Sequence, residues 1–319
     1  MGICQILKKI ILILLTVTAI LFGFSGCKQK NAATRNADGK LNVTVTVFPS
    51  YDFVRQIAKD KVNLNLLLPP GAESHSFEPS PRDIITIQNS DIFIYVGGES
   101  DAWVKRILES MNTDNMKILS MIETVEAVEE EIVEGMQEDE EEEPAYDEHV
   151  WTAPGNAMLI VNAIAELLGE TDPANAGFYW ENAIDYISKL GELDTSFREV
   201  TTGAKRNTII FADRFPFRYF ADAYGLKYYA AFPGCSTETE PSAATVAFLI
   251  NKIKAEKIPV VFHIELSNER MADTISEGTG AKKLLLHACH NVSKRDFEAG
   301  LGYLDFMRKN VENLREALR

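Results

Sequence analysis

Histidine is the residue type in this chain whose number and placement point most directly to chemistry. Five occur, His75, His149, His263, His287 and His290. All but His263 lie in loops or at the ends of predicted strands. Neutral imidazole is the commonest metal ligand at physiological pH. A single loop histidine is an ordinary surface residue, but several at such positions predict a site for a divalent transition metal.

Strands that alternate with helices would have to position these histidines. Periods of two residues and short apolar runs predict strands at 41–48, 61–69, 91–97 and 117–121, and again at 206–213, 226–232, 258–264 and 282–287. Strands separated by helices need crossover connections, which indicates mostly parallel sheets. Ligands bind beyond the carboxyl ends of such strands. His75 follows one predicted strand and His287 ends another, so both are candidates for that edge.

One long helix is predicted between the two groups of strands. Apolar residues recur at helical spacing over about 174–201, just after Pro173. We therefore expect an α/β protein of two lobes, each a mostly parallel four-stranded sheet flanked by helices, joined by one long rigid helix. The N-terminal lobe would span 41–173, the connecting helix 174–203 and the C-terminal lobe 204–319.

The N-terminus has the pattern of a bacterial lipoprotein signal. Lys8 and Lys9 precede an apolar run over 10–22 that is too short to span a membrane, and small residues lead into Cys27. We expect residues 1–27 to be the signal and lipobox, with lipid on Cys27, and 28–40 to be a flexible tether. This predicts a lipid-anchored protein on the extracytoplasmic face of a bacterial membrane.

The negative charge of the chain is concentrated in one segment. The net charge is −15, and residues 123–148 hold 14 of the 47 acidic residues without any Lys or Arg. Nucleic acid is therefore an unsuitable partner. Such a loop could raise the local concentration of cations, or it could be a solvated loop without a metal role.

Two cysteines remain beyond the signal, Cys235 and Cys289. An even pair in an oxidising compartment predicts a disulfide. By closing a long loop, that bond would stabilise the fold by about 4 kcal/mol on the chain-entropy model. Two alternatives stay open: both thiols could join His287 or His290 in a zinc site, or both could be free and buried.

Several motifs resemble the solute-binding lipoproteins of zinc and manganese ABC importers. They run in order along residues 41–318 and include Pro69-Pro70-Gly71-Ala72 with His75, Asp147-x-His149-x-Trp151, Tyr224-Gly225-Leu226, and Glu240-Pro241-Ser242. The resemblance implies two α/β lobes on a rigid helix and one metal ion held by four side chains in the cleft.

The resemblance also implies which side chains hold the metal. His75 and His149 would come from the N-terminal lobe. Arg214 occupies the place of the third ligand, and because a guanidinium cannot bind a metal, the adjacent Asp213 is the candidate there. His287 occupies the place of the fourth ligand. The predicted set is thus His75, His149, His287 and Asp213; Glu265 is a weaker substitute and His290 is left open.

On this resemblance the protein is a receptor that binds a divalent transition metal with high affinity and delivers it to the membrane permease of an ABC importer, as a monomer. Three imidazoles and a carboxylate favour Zn²⁺ over Mn²⁺. A manganese receptor and a metal-dependent adhesin are the alternatives. A secreted metallohydrolase is disfavoured, because the sequence has no HExxH helix, GxSxG elbow or phosphate loop.

Overall fold

A computed structural model describes residues 39–74, 76–136, 146–236 and 241–319. The predicted signal with Cys27, nearly all of the predicted tether, and His75 lie outside the described residues. Within the described ranges, no helix combines the length and the apolar character needed to cross a membrane.

The first sheet is parallel and has four strands, in the order β2-β1-β3-β4. These are β1 (Leu41–Val45), β2 (Val62–Leu66), β3 (Ile92–Tyr95) and β4 (Lys117–Ser120), and the helices between them are α1 (Phe48–Ala58), α2 (Pro81–Gln88) and α3 (Ala102–Ser110). The central strands β1 and β3 are mostly buried, as expected where helices cover a parallel sheet. Ser80 and Asp83 form a capping box that starts α2 after the loop from β2.

The second group of strands is also parallel. It contains β5 (Thr208–Ile210), β7 (Lys227–Tyr229), β9 (Val260–His263) and β10 (Lys282–Leu285), with helices α6 (Arg218–Tyr224), α7 (Ala243–Glu256) and α8 (Arg270–Thr279). A bridge between Phe211 and Phe262 connects the β5–β7 pair to the β9–β10 pair. A short parallel pair, β6 (Arg214–Phe215) with β8 (Phe232–Pro233), was not predicted.

A long helix connects the two groups of strands, as predicted. Helix α4 (Pro154–Thr171) is followed by α5 (Ala176–Thr202), which packs against α1 and α4 from the first half and against α10 (Tyr303–Ala317) from the second. One hydrophobic core includes residues of both halves, such as Val43 and Phe262. The predicted α/β class with parallel sheets and a long helix is therefore confirmed, and the lobe boundaries remain predictions.

The C-terminal part of the chain forms two helices. These are α9 (Lys294–Glu298) and then α10, with a break between them. Gly300 has φ +75° in this break, a left-handed conformation that favours glycine. Gly302 then starts α10, and its N–H donates to the Asp305 carboxylate at 2.9 Å.

Part of the acidic segment is docked on the protein. Within residues 123–136, Glu131 pairs with Arg218 at 2.6 Å, and the Glu130 carboxylate accepts from the backbone N–H of Cys235 at 2.8 Å. These two carboxylates therefore have partners in the second half of the chain, and the role of the acidic segment remains a prediction.

Candidate metal-binding site

A small cavity lies beyond the carboxyl ends of strands from both halves. Its volume is about 30 Å³, and its lining includes Ser74, His149, Arg214, Glu265, His290 and Asn291. This volume suits a single ion or water molecule, whereas pockets for drug-sized organic ligands measure roughly 300–1,000 Å³. The position agrees with the general rule for ligand sites in parallel α/β sheets.

His149 is buried at the start of a short 3₁₀ turn, Val150–Thr152. Its Nδ1 lies 3.0 Å from Oδ1 of Asp147, which also accepts from the His149 backbone N–H at 2.7 Å. Burial lowers the pKa of His149, but the negative charge and hydrogen bond of Asp147, with Glu148 and Glu130, raise that pKa by more. Because Asp147 engages Nδ1, Nε2 is the ring nitrogen suited to a metal, the usual arrangement of a ligating histidine.

His290 reaches the same cavity from the loop after β10. Its ring centroid is 5.1 Å from that of His149. Nδ1 of His290 is 3.3 Å from the Ser74 hydroxyl, which belongs to the loop after β2. This contact again leaves Nε2 as the nitrogen that would bind a metal.

Glu265 contributes a carboxylate just beyond β9. Its two oxygens accept from the backbone N–H groups of Ala288 at 2.7 Å and His290 at 2.9 Å. Each carboxylate oxygen has a second acceptor position. Glu265 therefore holds the loop that carries His290 and keeps acceptor capacity at the cavity.

Two of the predicted ligands have other surroundings. The His287 ring stacks on Phe306 with centroids 4.1 Å apart, and its Nδ1 accepts from the Cys289 backbone N–H at 3.0 Å. Burial lowers the pKa of His287. Asp213 lines a neighbouring pocket of about 200 Å³, and burial raises its pKa. Neither side chain lines the cavity that contains His149 and His290.

The prediction that His75 is a ligand rests on the sequence alone, because His75 lies outside the described residues. Among the residues that are described, no three or more His, Cys, Asp or Glu side chains are arranged to hold a metal ion by themselves. The described residues of these types that line the cavity are Glu73, His149, Glu265 and His290.

Sequence reasoning left His290 open, and the backbone explains why. His287 follows β10 directly, but the chain turns at Cys289, whose φ is +61°. His287 precedes this turn, where Asn310 binds its backbone N–H and its carbonyl oxygen at 2.8 Å each. His290 follows the turn and lines the cavity. A left-handed conformation at a non-glycine residue has no clear signature in a single sequence.

The predicted disulfide does not form, since Cys235 and Cys289 are both free thiols. Their surroundings differ. Glu130 and Glu148 lie near Cys235, whereas Glu265 is near Cys289. Burial is the main cause that raises the pKa of both thiols well above the usual value. Neither thiol lines the cavity, which also argues against the alternative Cys–His site there.

The chain belongs to the family described as zinc-uptake complex component A, periplasmic, whose model matches residues 43–317. This is a family of metal-uptake components and not an enzyme family. The high-affinity zinc uptake system protein ZnuA of Bacillus subtilis (strain 168) is 33% identical over 297 residues, 91% of each chain.

A second relative is longer. The zinc-binding lipoprotein AdcA of Streptococcus pneumoniae is 32% identical over 313 residues, which are 97% of this chain but 61% of that protein. The crystal structure of the Zn(II)-bound ZnuA-like domain of S. pneumoniae AdcA superposes with a TM-score of 0.74 at 31% identity, over 88% of this chain and 99% of that domain.

Proposed function

We propose that this protein binds a zinc ion in the cavity between its two halves and delivers that ion to the permease of an ABC importer. Membership of the zinc-uptake family supports this function. Two relatives are named for zinc uptake and zinc binding, and zinc is bound in the similar solved domain. The lipoprotein name of AdcA supports an extracytoplasmic location with lipid on Cys27.

The proposed ligands are His75, His149, His290 and the carboxylate of Glu265. The observation that carries this choice is the approach of the His149 and His290 rings, 5.1 Å between centroids at an ion-sized cavity. Each ring has its Nδ1 at a protein oxygen, so both can offer Nε2. His290 takes the role that the family resemblance suggested for His287, and Glu265 takes that of Asp213.

The chemistry of this set favours zinc over manganese. Imidazole nitrogen suits zinc, while manganese prefers a site built from oxygen ligands. Four ligands of this kind match the coordination number of a closed zinc site. Because ligating histidines must be neutral, zinc affinity should fall when the pH drops through the imidazole range.

The test is a zinc titration in competition with a chromophoric chelator. We expect His149→Ala and His290→Ala to weaken zinc binding by at least about 100-fold, since each removes a direct ligand. His287→Ala should keep the affinity within about threefold but lower the unfolding midpoint, because it leaves the Cys289 N–H and Phe306 without their contacts.

The control is His263→Ala, whose ring is half-buried outside the cavity and contacts its neighbour's carbonyl at 3.1 Å. If His149→Ala and His290→Ala both bind zinc as tightly as the unmodified protein, the proposed site is wrong. A larger loss of zinc affinity from His287→Ala than from His290→Ala would favour His287, the ligand predicted from the sequence. Tighter binding of Mn²⁺ than of Zn²⁺ by the unmodified protein would contradict the proposed cargo.

A further inference from the structure

Arg214 and Glu73 form an ion pair across the cavity wall. The two residues are 141 positions apart, and the guanidinium donates to both carboxylate oxygens, at 3.2 Å and 3.3 Å. A third hydrogen bond, at 3.1 Å, joins Arg214 to the carbonyl oxygen of Ser236. The Arg214 side chain is 11% exposed and the Glu73 side chain 46% exposed. The fork-like geometry makes this pair more specific than an ion pair held by a single contact.

The Arg214–Glu73 pair lies between the metal cavity and a neighbouring pocket. The ion-sized cavity and the neighbouring pocket of about 200 Å³ both count Glu73, Arg214 and Leu266 among their lining residues. The acidic residues Asp213 and Glu269 also line the larger pocket, and the Glu269 carboxylate accepts a hydrogen bond from Lys283 at 2.7 Å. A cation in this pocket would meet the Arg214–Glu73 pair before it reached the imidazoles.

The pair also holds a loop that the metal site needs. Glu73 precedes Ser74, which contacts His290, and it stands two residues before His75 in the sequence. The start of the same loop is attached separately, because Asn291 donates to the carbonyl oxygens of Pro69 and Ala72 at 2.9 Å and 2.8 Å. Opening the ion pair would therefore free the Glu73 side chain while the base of the loop stayed in place.

We propose that the Arg214–Glu73 pair is a gate between the outer acidic pocket and the metal cavity, and that its opening limits both capture and release of the ion. Arg214 is a positioning residue in this role, since a guanidinium cannot ligate a metal. The inference rests on the proposed zinc-binding function. The gate adds to that function a path for the ion and a contact that controls the rate of its passage.

The primary test is Arg214→Lys, which keeps the charge but loses the two-pronged geometry. Association and release of zinc are measured separately by stopped flow, the second with excess chelator. Both rates should rise by about tenfold, which corresponds to a loss of about 1.4 kcal/mol in closed-state stabilisation. Loss of a ligand, or a general loss of stability, would accelerate release without accelerating capture.

Two further variants make the result decisive. Glu73→Gln removes the pair from the other side and should also speed both capture and release. Arg198→Lys is the matched control, because Arg198 forms a similar two-pronged pair with Asp194 on the exposed face of α5, and it should leave both rates unchanged.

The gate is overturned if Arg214→Lys and Glu73→Gln exchange zinc at the rates of the unmodified protein, or if release alone accelerates. Either result leaves zinc binding itself intact. Failure of the unmodified protein to take up zinc would be a failure of the proposed function. The unfolding midpoint of each metal-free variant verifies that the rates belong to folded protein.

Discussion

At the scale of single residues, the contact between Asp147 and His149 decides how the site can work. Asp147 is almost fully buried and accepts from both the ring and the backbone of His149. A carboxylate in this place selects the tautomer with the proton on Nδ1 and makes Nε2 a better ligand. The same charge raises the pKa of His149 against the opposing effect of burial. Proton and zinc therefore compete for the same nitrogen.

The Asp147→Asn variant should reduce zinc affinity by about 10-fold to 100-fold, the usual cost of losing an outer-shell carboxylate. Competition titration at neutral pH measures this change. Asp185→Asn serves as control, since Asp185 pairs with Lys189 on the exposed surface of α5. An affinity for Asp147→Asn within a factor of two of the unmodified protein would show that Asp147 does not support the ligand.

At the scale of secondary-structure elements, the turn between β3 and α3 supports the segment next to His149. Asp101 lies in this turn and accepts from the backbone N–H groups of Val96 at 2.7 Å and Gly97 at 3.4 Å. Ser100, in the same turn, donates its N–H to Glu148 at 2.6 Å. Burial raises the pKa of Asp101 to about 6 despite these hydrogen bonds. The turn thus carries a buried acid whose ionisation opposes folding.

The Asp101→Asn variant should show this effect in the pH dependence of stability. A raised pKa means that the folded state binds the proton more tightly than the unfolded state. The contribution of Asp101 to stability is therefore present at about pH 4 and is lost as the pH rises through about 6. Relative to the unmodified protein, the asparagine variant should gain up to about 3 kcal/mol between about pH 4 and pH 8.

Urea unfolding of the metal-free proteins at both pH values measures that difference. Asp114→Asn, at an exposed position, is the control for removal of an acidic side chain. A stability difference between Asp101→Asn and the unmodified protein that stays constant with pH would refute a strongly raised pKa for Asp101.

At the scale of the whole molecule, buried hydrogen bonds connect the two halves through one core. The Trp151 indole N–H donates to the carbonyl oxygen of Ala288 at 2.7 Å, and the Tyr303 hydroxyl donates to the carbonyl oxygen of Trp151 at 2.7 Å. Both aromatic side chains are fully buried. Together with the packing of α5, these links favour small loop movements over a wide hinge opening when the ion enters.

The Trp151→Phe variant should lower the free energy of unfolding more than Trp103→Phe does. The first substitution leaves the buried Ala288 carbonyl without its donor, which costs about 1–3 kcal/mol. Trp103 is the matched control, because its buried indole N–H has no hydrogen-bond partner among the residues that the structure describes. Urea unfolding of the metal-free protein provides the comparison. Equal losses for the two variants would show that the link to Ala288 adds nothing beyond packing.

The sequence by itself determined the order of the elements and the class of the fold. Periodicity is a local property, so β1, β3 and α5 could be predicted within a few residues. The residues of the family motifs were sufficient to place the chain among metal-uptake proteins, and family membership agrees. His149 was identified in the same way and lines the cavity.

Tertiary structure decided which side chains share that cavity. His287 and His290 are three positions apart, with the left-handed residue Cys289 between them, yet His290 lines the cavity while His287 stacks on Phe306. The partnership of Arg214 with Glu73 likewise depends on an approach of loops far apart in sequence. Such contacts follow from how the two halves pack, and no local pattern encodes them.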